Sequence, residues 1–248
     1  MSGVLSKSTN TSSVIDCFKF ETYSSGLSQT IPDITSEPIS TLEMPSIDPY
    51  DGPVPSRLVG FNEAKSEKEH YGTVHFYLDD SRFECIWNNP PKYVPLLRQY
   101  ESVIGPDFSQ YVDMTYDERL FNNYRNYSTT VFLQRNGIPV IPNISWSTPN
   151  LYDHNFCWIP KHSIIAIGSM GVLQHNVSRY LFSEGYKEVL RRLEPHLIVR
   201  YGPKLDCEDE SISIYFPNAR LERLRQLPRK KNQMKTVVNL MSNQLKLF

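Results

Sequence analysis

Three side chains able to do chemistry, Asp79, Asp80 and Arg82, follow directly on the apolar run Val74-His75-Phe76-Tyr77-Leu78. Asp107, Arg125-Asn126 and Ser145-Trp146 stand beside later strand-like or helical segments. Carboxylates that converge at such positions can hold Mg²⁺, which takes one or two of them and completes its shell with water and phosphate oxygens. Phosphodiester chemistry suits that arrangement. On this reading Asp79, Asp80, Asp107, Arg82 and Arg125 are the catalytic candidates. Asp80 and Asp107 are the metal candidates, and Asn126, Ser145 and Trp146 line a pocket. The competing reading is structural: Asp79 and Asp107 cap helices or pair with Arg82 and Arg125. Spacing alone does not separate the two.

Other constellations are weaker. His154-x-x-Cys157 with Cys85 or Cys207 lacks the second closely spaced ligand pair of a structural zinc site, so a buried Cys157 thiol is expected. Gly168-Ser169-Met170-Gly171 has neither the GxGxxG pattern nor a Walker lysine and reads as a β-to-α turn. Tyr124 and Tyr127 share a helix face and read as core. Ser169 and Tyr201 complete the polar residues offered at strand ends.

The elements that must position these residues alternate. Strands are expected at 74–78, 103–105, 138–144, 163–167 and 197–201, with an edge strand at 211–216. Helices are expected at 92–100 behind Pro90-Pro91, at 117–135 and at 178–193. Leu120, Tyr124, Tyr127, Val131 and Phe132 fall on one side of the middle helix. Gly137 is its expected C′ residue. Pro139 and Pro142 leave the third strand few ladder donors. Strands alternating with helices predict an α/β fold with a mostly parallel sheet and right-handed crossover helices. An open sheet and an incomplete barrel both satisfy the pattern. In either, functional residues gather past the carboxyl ends of strands.

The chain has 248 residues, 40% of them hydrophobic, and a formal net charge of −1. That near-neutrality hides a division. Residues 220–248 hold eight Lys or Arg and one acid, leaving 18 basic and 26 acidic residues before position 220. Residues 1–50, with 17 Ser or Thr and no apolar period, are expected to be a disordered arm. An α/β domain then spans 51–216, and 217–248 form a basic tail. The four cysteines are far apart, no apolar segment has signal-peptide form, and no run approaches about 18 apolar residues. A cytoplasmic setting with no membrane partner follows as the expectation.

Taken in order, YLDDSRFECIWNNP, GPDFSQYVDM, YRNY, GIPVIPNISWS, IPKHSIIAIGSMG, FSEGYKEVLRRLEP and IVRYG resemble an uncharacterised family. It is a domain of unknown function (number forty-four seventeen) encoded by bacteria, archaea, phages and mobile elements. The resemblance covers roughly 74–202. It implies an intracellular mobile-element protein and brings no established activity. The positions it carries over are Asp80, Arg82, Phe83, Trp87, Pro106, Asp107, Phe108, Ser109, Tyr124, Arg125, Asn126, Ser145 and Trp146. Tyr127 stands where the family often has a second basic residue, which weakens the case for a two-arginine phosphate clamp.

The final residues, Gln244-Leu245-Lys246-Leu247-Phe248, resemble the QLxLF peptide by which replication and repair proteins dock on the bacterial sliding clamp. Gln244 would hydrogen-bond at a pocket edge while Leu245, Leu247 and Phe248 fill an apolar groove. The preceding Arg229, Lys230 and Lys231 would contact DNA phosphates. The competing reading makes 237–248 an amphipathic turn packed on the domain. Three functions are therefore carried forward. The first is a replication-associated protein of a phage, plasmid or other mobile element, recruited to the clamp. The second is a metal-dependent nuclease or other phosphodiester enzyme. The third is a non-catalytic ligand-binding or counter-defence protein.

Overall fold

A computed structural model describes residues 44–218. The arm up to residue 43, the basic stretch with Arg229, Lys230 and Lys231, and the Gln244, Leu245, Leu247 and Phe248 motif lie outside the described residues.

Every strand pair in the domain is parallel. Strands β1 (Leu58–Gly60), β2 (Thr73–His75), β3 (Ser102–Ile104) and β4 (Val140–Ile141) form one sheet in chain order. β5 (Ile164–Gly168), β6 (Leu197–Tyr201) and β7 (Ser213–Phe216) form a second, again in chain order. A parallel bridge between Asn143 and Ala166 joins them just past β4. The Ile144 N–H donates to the Ala166 carbonyl at 2.9 Å, and the Ala166 N–H donates to that of Pro142 at 2.8 Å. The result is one run of seven strands, each beside its neighbour in sequence.

That run is rolled. In a flat sheet β2 and β6 would lie four strand spacings, roughly 19 Å, apart. Instead the rings of His75 and Tyr201 approach to 4.4 Å, and those of Tyr77 and Tyr201 stack at 5.0 Å. One apolar cluster gathers Ile104, Ile141, Ala166, Val199 and Tyr201, with Leu58 of β1 and Phe216 of β7 against it. Their alternate neighbours, Val103, Val140, Ile165, Ile167 and Ile198, face outward into two further clusters. This is the period-2 alternation of strand side chains with both faces covered. No pairing joins β1 to β7 among the described residues, so the barrel is incomplete.

Helices pack on the outside. The connections carry α1 (Phe61–Ala64), α2 (Glu84–Asn88), α3 (Val94–Leu97), α4 (Tyr116–Arg135), α5 (Tyr152–Phe156) and α6 (Asn176–Leu193). α4 starts at a capping box: the Glu118 N–H donates to the Thr115 hydroxyl at 3.3 Å, and the Thr115 N–H donates to the Glu118 carboxylate at 2.8 Å. It ends at Asn136, with Gly137 at φ 73°. Phe132 and Leu133 enter the outer cluster of the first four strands, and Tyr127 and Val131 that of the last three. The helix is also buried at Asn122, Asn123, Asn126, Ser128, Thr129 and Thr130. Leu120 and Tyr124, expected on its apolar side, are only partly buried.

The expected order of elements holds, with differences. β1 is an additional strand, since nothing in Leu58-Val59-Gly60 outweighs its shortness. The strand expected at 138–144 has only two ladder residues, because prolines flank them. Both prolines serve as acceptors: the Pro139 carbonyl takes the Val103 N–H at 2.9 Å, as that of Pro142 takes Ala166. The segment expected to be helical at 92–100 divides into a 3₁₀ turn at Pro90–Tyr93 and the short α3. The end of the expected arm, 44–50, is core: Met44, Ile47 and Tyr50 are buried. Ile47 N–H donates to the Trp158 carbonyl at 3.1 Å, and Tyr50 N–H to the Ser163 hydroxyl at 3.0 Å.

Candidate functional site

The carboxyl ends of β2, β3 and β4 lie together at one mouth of the barrel, where folds of this kind build their sites. β2 leads through Tyr77 to Asp80, which opens a 3₁₀ turn at Asp80–Arg82. β3 leads to Asp107-Phe108-Ser109, and β4 to Asn143 and Ser145.

A chain of hydrogen bonds ties these residues. The Tyr77 hydroxyl donates to Asn143 Oδ1 at 2.9 Å. Asn143 Nδ2 donates to Asp107 Oδ1 at 3.0 Å and to the Pro106 carbonyl at 2.9 Å. Ser145 also hydrogen-bonds Asp107. Ser145 Oγ in turn accepts from Gln110 Nε2 at 3.1 Å, and Gln110 Oε1 accepts from Asn155 on α5 at 2.9 Å. Asp80 accepts from the Ser109 N–H at 3.2 Å and from its hydroxyl at 2.9 Å.

The two carboxyls are held differently. Burial pushes the Asp107 carboxyl up to about 6, and the charge of nearby Asp80 adds to the rise, against the lowering effect of Asn143 and Ser145. Asp80 is partly exposed and rests on Ser109. A carboxyl that titrates near neutrality in a barrel mouth can exchange protons with a ligand, and the pair can also share a cation. Among the described residues no group of three His, Cys, Asp or Glu side chains gathers around a metal position. Mg²⁺ on Asp80 and Asp107 would thus take its other ligands from water and phosphate.

The remaining expected residues are placed as follows. Asp79 and Arg82 project from the exposed face of the turn and pair with each other at 3.5 Å, away from Asp107. Successive residues of the turn point different ways, so only one of the two aspartates faces inward. Arg125 stacks on the Phe108 ring at 3.6 Å, donates to Asn122 at 3.1 Å and pairs with Glu84 at 3.5 Å. Asn126 clasps the backbone of Phe108, accepting its N–H at 2.7 Å and donating to its carbonyl at 3.3 Å. Both therefore fix the loop that carries Asp107. Trp146 is half-buried and braces two elements: its indole N–H donates to the Leu181 carbonyl of α6 at 3.2 Å. A Cβ at Gly185 would fall 2.0 Å from the Trp146 ring, so this contact needs glycine.

Ser169 is fully buried and donates to the Pro203 carbonyl at 2.6 Å, tying the loops after β5 and β6. Tyr201 is part of the aromatic floor. Tyr127 donates to the Asn155 carbonyl at 2.8 Å within the core. Cys157 is exposed instead of buried, because it falls just after α5 on the solvent side. Tyr77, Gln110, Asn143 and Asn155 belong to the polar chain and carry no motif that marks them.

The family profile described as Domain of unknown function (DUF4417) matches residues 36–218. The chain is 35% identical over 179 residues to the Gene 1 protein of Mycobacterium phage L5, covering 71% of this chain and 78% of that protein. It is 34% identical over 176 residues to the Gene 1 protein of Mycobacterium phage D29, covering 70% of this chain and 65% of that protein. No solved structure matches. No helix among the described residues is long and apolar enough to cross a membrane.

Proposed function

The chain belongs to the DUF4417 family, with relatives encoded by phages, and on that premise we propose that it is a replication-associated phage protein carried to the host sliding clamp. The sequence Gln244-Leu245-Lys246-Leu247-Phe248 carries this reading. It lies beyond the family match, after a basic stretch with Arg229, Lys230 and Lys231 that suits a tether near DNA. Leu245, Leu247 and Phe248 supply the apolar anchors that let a short peptide bind preformed pockets. The full chain should bind purified bacterial clamp in the micromolar range, around −8 kcal/mol or weaker. Leu247→Ala/Phe248→Ala should abolish that binding and leave the melting temperature unchanged. A sharp fall in melting temperature without any clamp binding in the wild type would overturn the reading.

A second reading, a metal-dependent phosphodiester enzyme, is favoured by the approach of Asp80 and Asp107 at the barrel mouth. Calorimetric titration with Mg²⁺ and Mn²⁺ tests it. The wild type should bind one ion, and Asp80→Ala/Asp107→Ala should not. Equal heats for the two proteins would remove the metal from the site.

A further inference from the structure

A second reactive cluster lies on the outer surface, on the same β2–α2 connection that carries Asp80. Cys85 of α2 is partly exposed. The Lys65 ammonium, just past α1, donates to Cys85 Sγ at 3.5 Å. The Lys65 side chain lies over the Phe61 ring, its Nζ 4.4 Å from the centroid, and 5.6 Å from that of Tyr93. These rings steer the amine toward the sulfur. The Tyr93 hydroxyl completes the group by hydrogen-bonding Cys85, an interaction that pushes the phenol up to about 12.

We propose that Cys85 and Lys65 form an oxidative crosslink, a sulfenamide, when the protein meets hydrogen peroxide. The thiolate is the nucleophilic form of cysteine, so the reaction runs from that form. The thiolate attacks one peroxide oxygen and breaks the O–O bond, giving Cys85 sulfenic acid and hydroxide, which takes a proton from the Lys65 ammonium to become water and leaves the amine neutral. Condensation of a sulfenic acid with a nitrogen nucleophile is the next available step. The neutral Lys65 amine attacks the sulfenyl sulfur, the S–O bond breaks, and a second water leaves. In sum, one thiol, one amine and one peroxide give the S–N bond and two waters. A dithiol reverses it, regenerating thiol and amine and leaving as its disulfide. The bond would strap the residue after α1 to α2, immediately behind the Asp80–Arg82 turn.

The experiment uses the full chain treated with hydrogen peroxide, digested, and read by tandem mass spectrometry with and without dithiothreitol. The expected product is a peptide pair joined through Lys65 and Cys85, lighter by two hydrogens and lost on reduction. Lys65→Arg keeps the positive charge but should yield no such pair. It should give instead a Cys85 sulfenic acid that dimedone traps. Cys85→Ser should give neither. A two-hydrogen loss that maps to a disulfide with another cysteine, or one that persists in Lys65→Arg, overturns the proposal. So does a wild type in which Cys85 stays reduced or goes only to higher oxides.

Discussion

The rings of Tyr77 and Tyr201 lie almost parallel, 13° apart in plane, with centroids separated by 5.0 Å. Tyr77 follows the second strand and Tyr201 ends the sixth, so the contact spans the interior of the rolled sheet, beside that of His75 with Tyr201. Gly168 makes room for it, because a Cβ there would fall 2.6 Å from the Tyr77 ring.

Gly168→Ala should therefore destabilise the fold by about 1–3 kcal/mol, through overpacking. Tyr77→Leu should cost about 2–4 kcal/mol through the lost ring and its bond to Asn143. The two changes together should cost clearly less than their sum, since the smaller side chain vacates the space that the new methyl needs. Urea denaturation of the four proteins measures this, and strict additivity would place the strain elsewhere.

Asp107 gives a pH signature. Its folded value of about 6 lies above the usual carboxylate range, so the fold favours its protonated form. The contribution is fully present below about pH 4 and is lost as pH rises to about 6 and beyond. Asp107→Asn keeps an acceptor for Asn143 and removes this loss. The variant should gain about 1–3 kcal/mol relative to wild type at pH 7.5 and little or nothing at about pH 3.5. A constant difference between the two pH values would show that the carboxyl is not desolvated.

Arg200 and Glu208 form an ion pair whose side chains are 1% and 0% exposed. Arg200 lies on the outer face of β6, where it also donates to the Ile167 carbonyl and approaches the Phe182 ring at 5.2 Å. Glu208→Ala would strand a buried guanidinium and should cost about 3–5 kcal/mol. Replacing both by Met and Leu should recover most of that loss. Thermal unfolding distinguishes the outcomes: a double variant as unstable as the single one would mean that Arg200 serves the fold through Ile167.

The N-terminal boundary is measurable by truncation. Chains beginning at residue 44 and at residue 51 differ by Met44, Ile47 and Tyr50, all buried, and by the bonds between Asp48 and Gln134. The shorter chain should lose several kcal/mol, at about 1.5–3 kcal/mol for each buried apolar side chain. Its melting temperature should fall by roughly 10 °C or more. Equal melting would show that these contacts are not maintained.

Leu197–Tyr201 was legible to the residue because four of its five positions are apolar or β-favouring and the run stands between Pro195 and Gly202. β1 was not, since three residues cannot establish a period. Asp80 and Asp107 were legible as strand-end carboxylates, but the direction of Asp79 was not. Turn geometry, not residue type, decides which neighbour faces in. Asn143 and Tyr77 were hidden for a different reason. Their roles depend on partners 66 residues apart, brought together only when the sheet rolls. The face of α4 misled in part because a helix packed on most sides buries asparagines and threonines as well as its apolar stripe.

That helix has a wider consequence. Two sides of its C-terminal half are shared between the outer clusters, Phe132 and Leu133 with one and Tyr127 and Val131 with the other. Neither group of strands can open without uncovering part of the same rod. Local opening is thereby coupled across the domain, and the central amides of α4 can exchange with solvent only when both clusters have come apart. In isotope-exchange terms the helix is the slow clock of the molecule, recording global unfolding while the short terminal strands report local fraying.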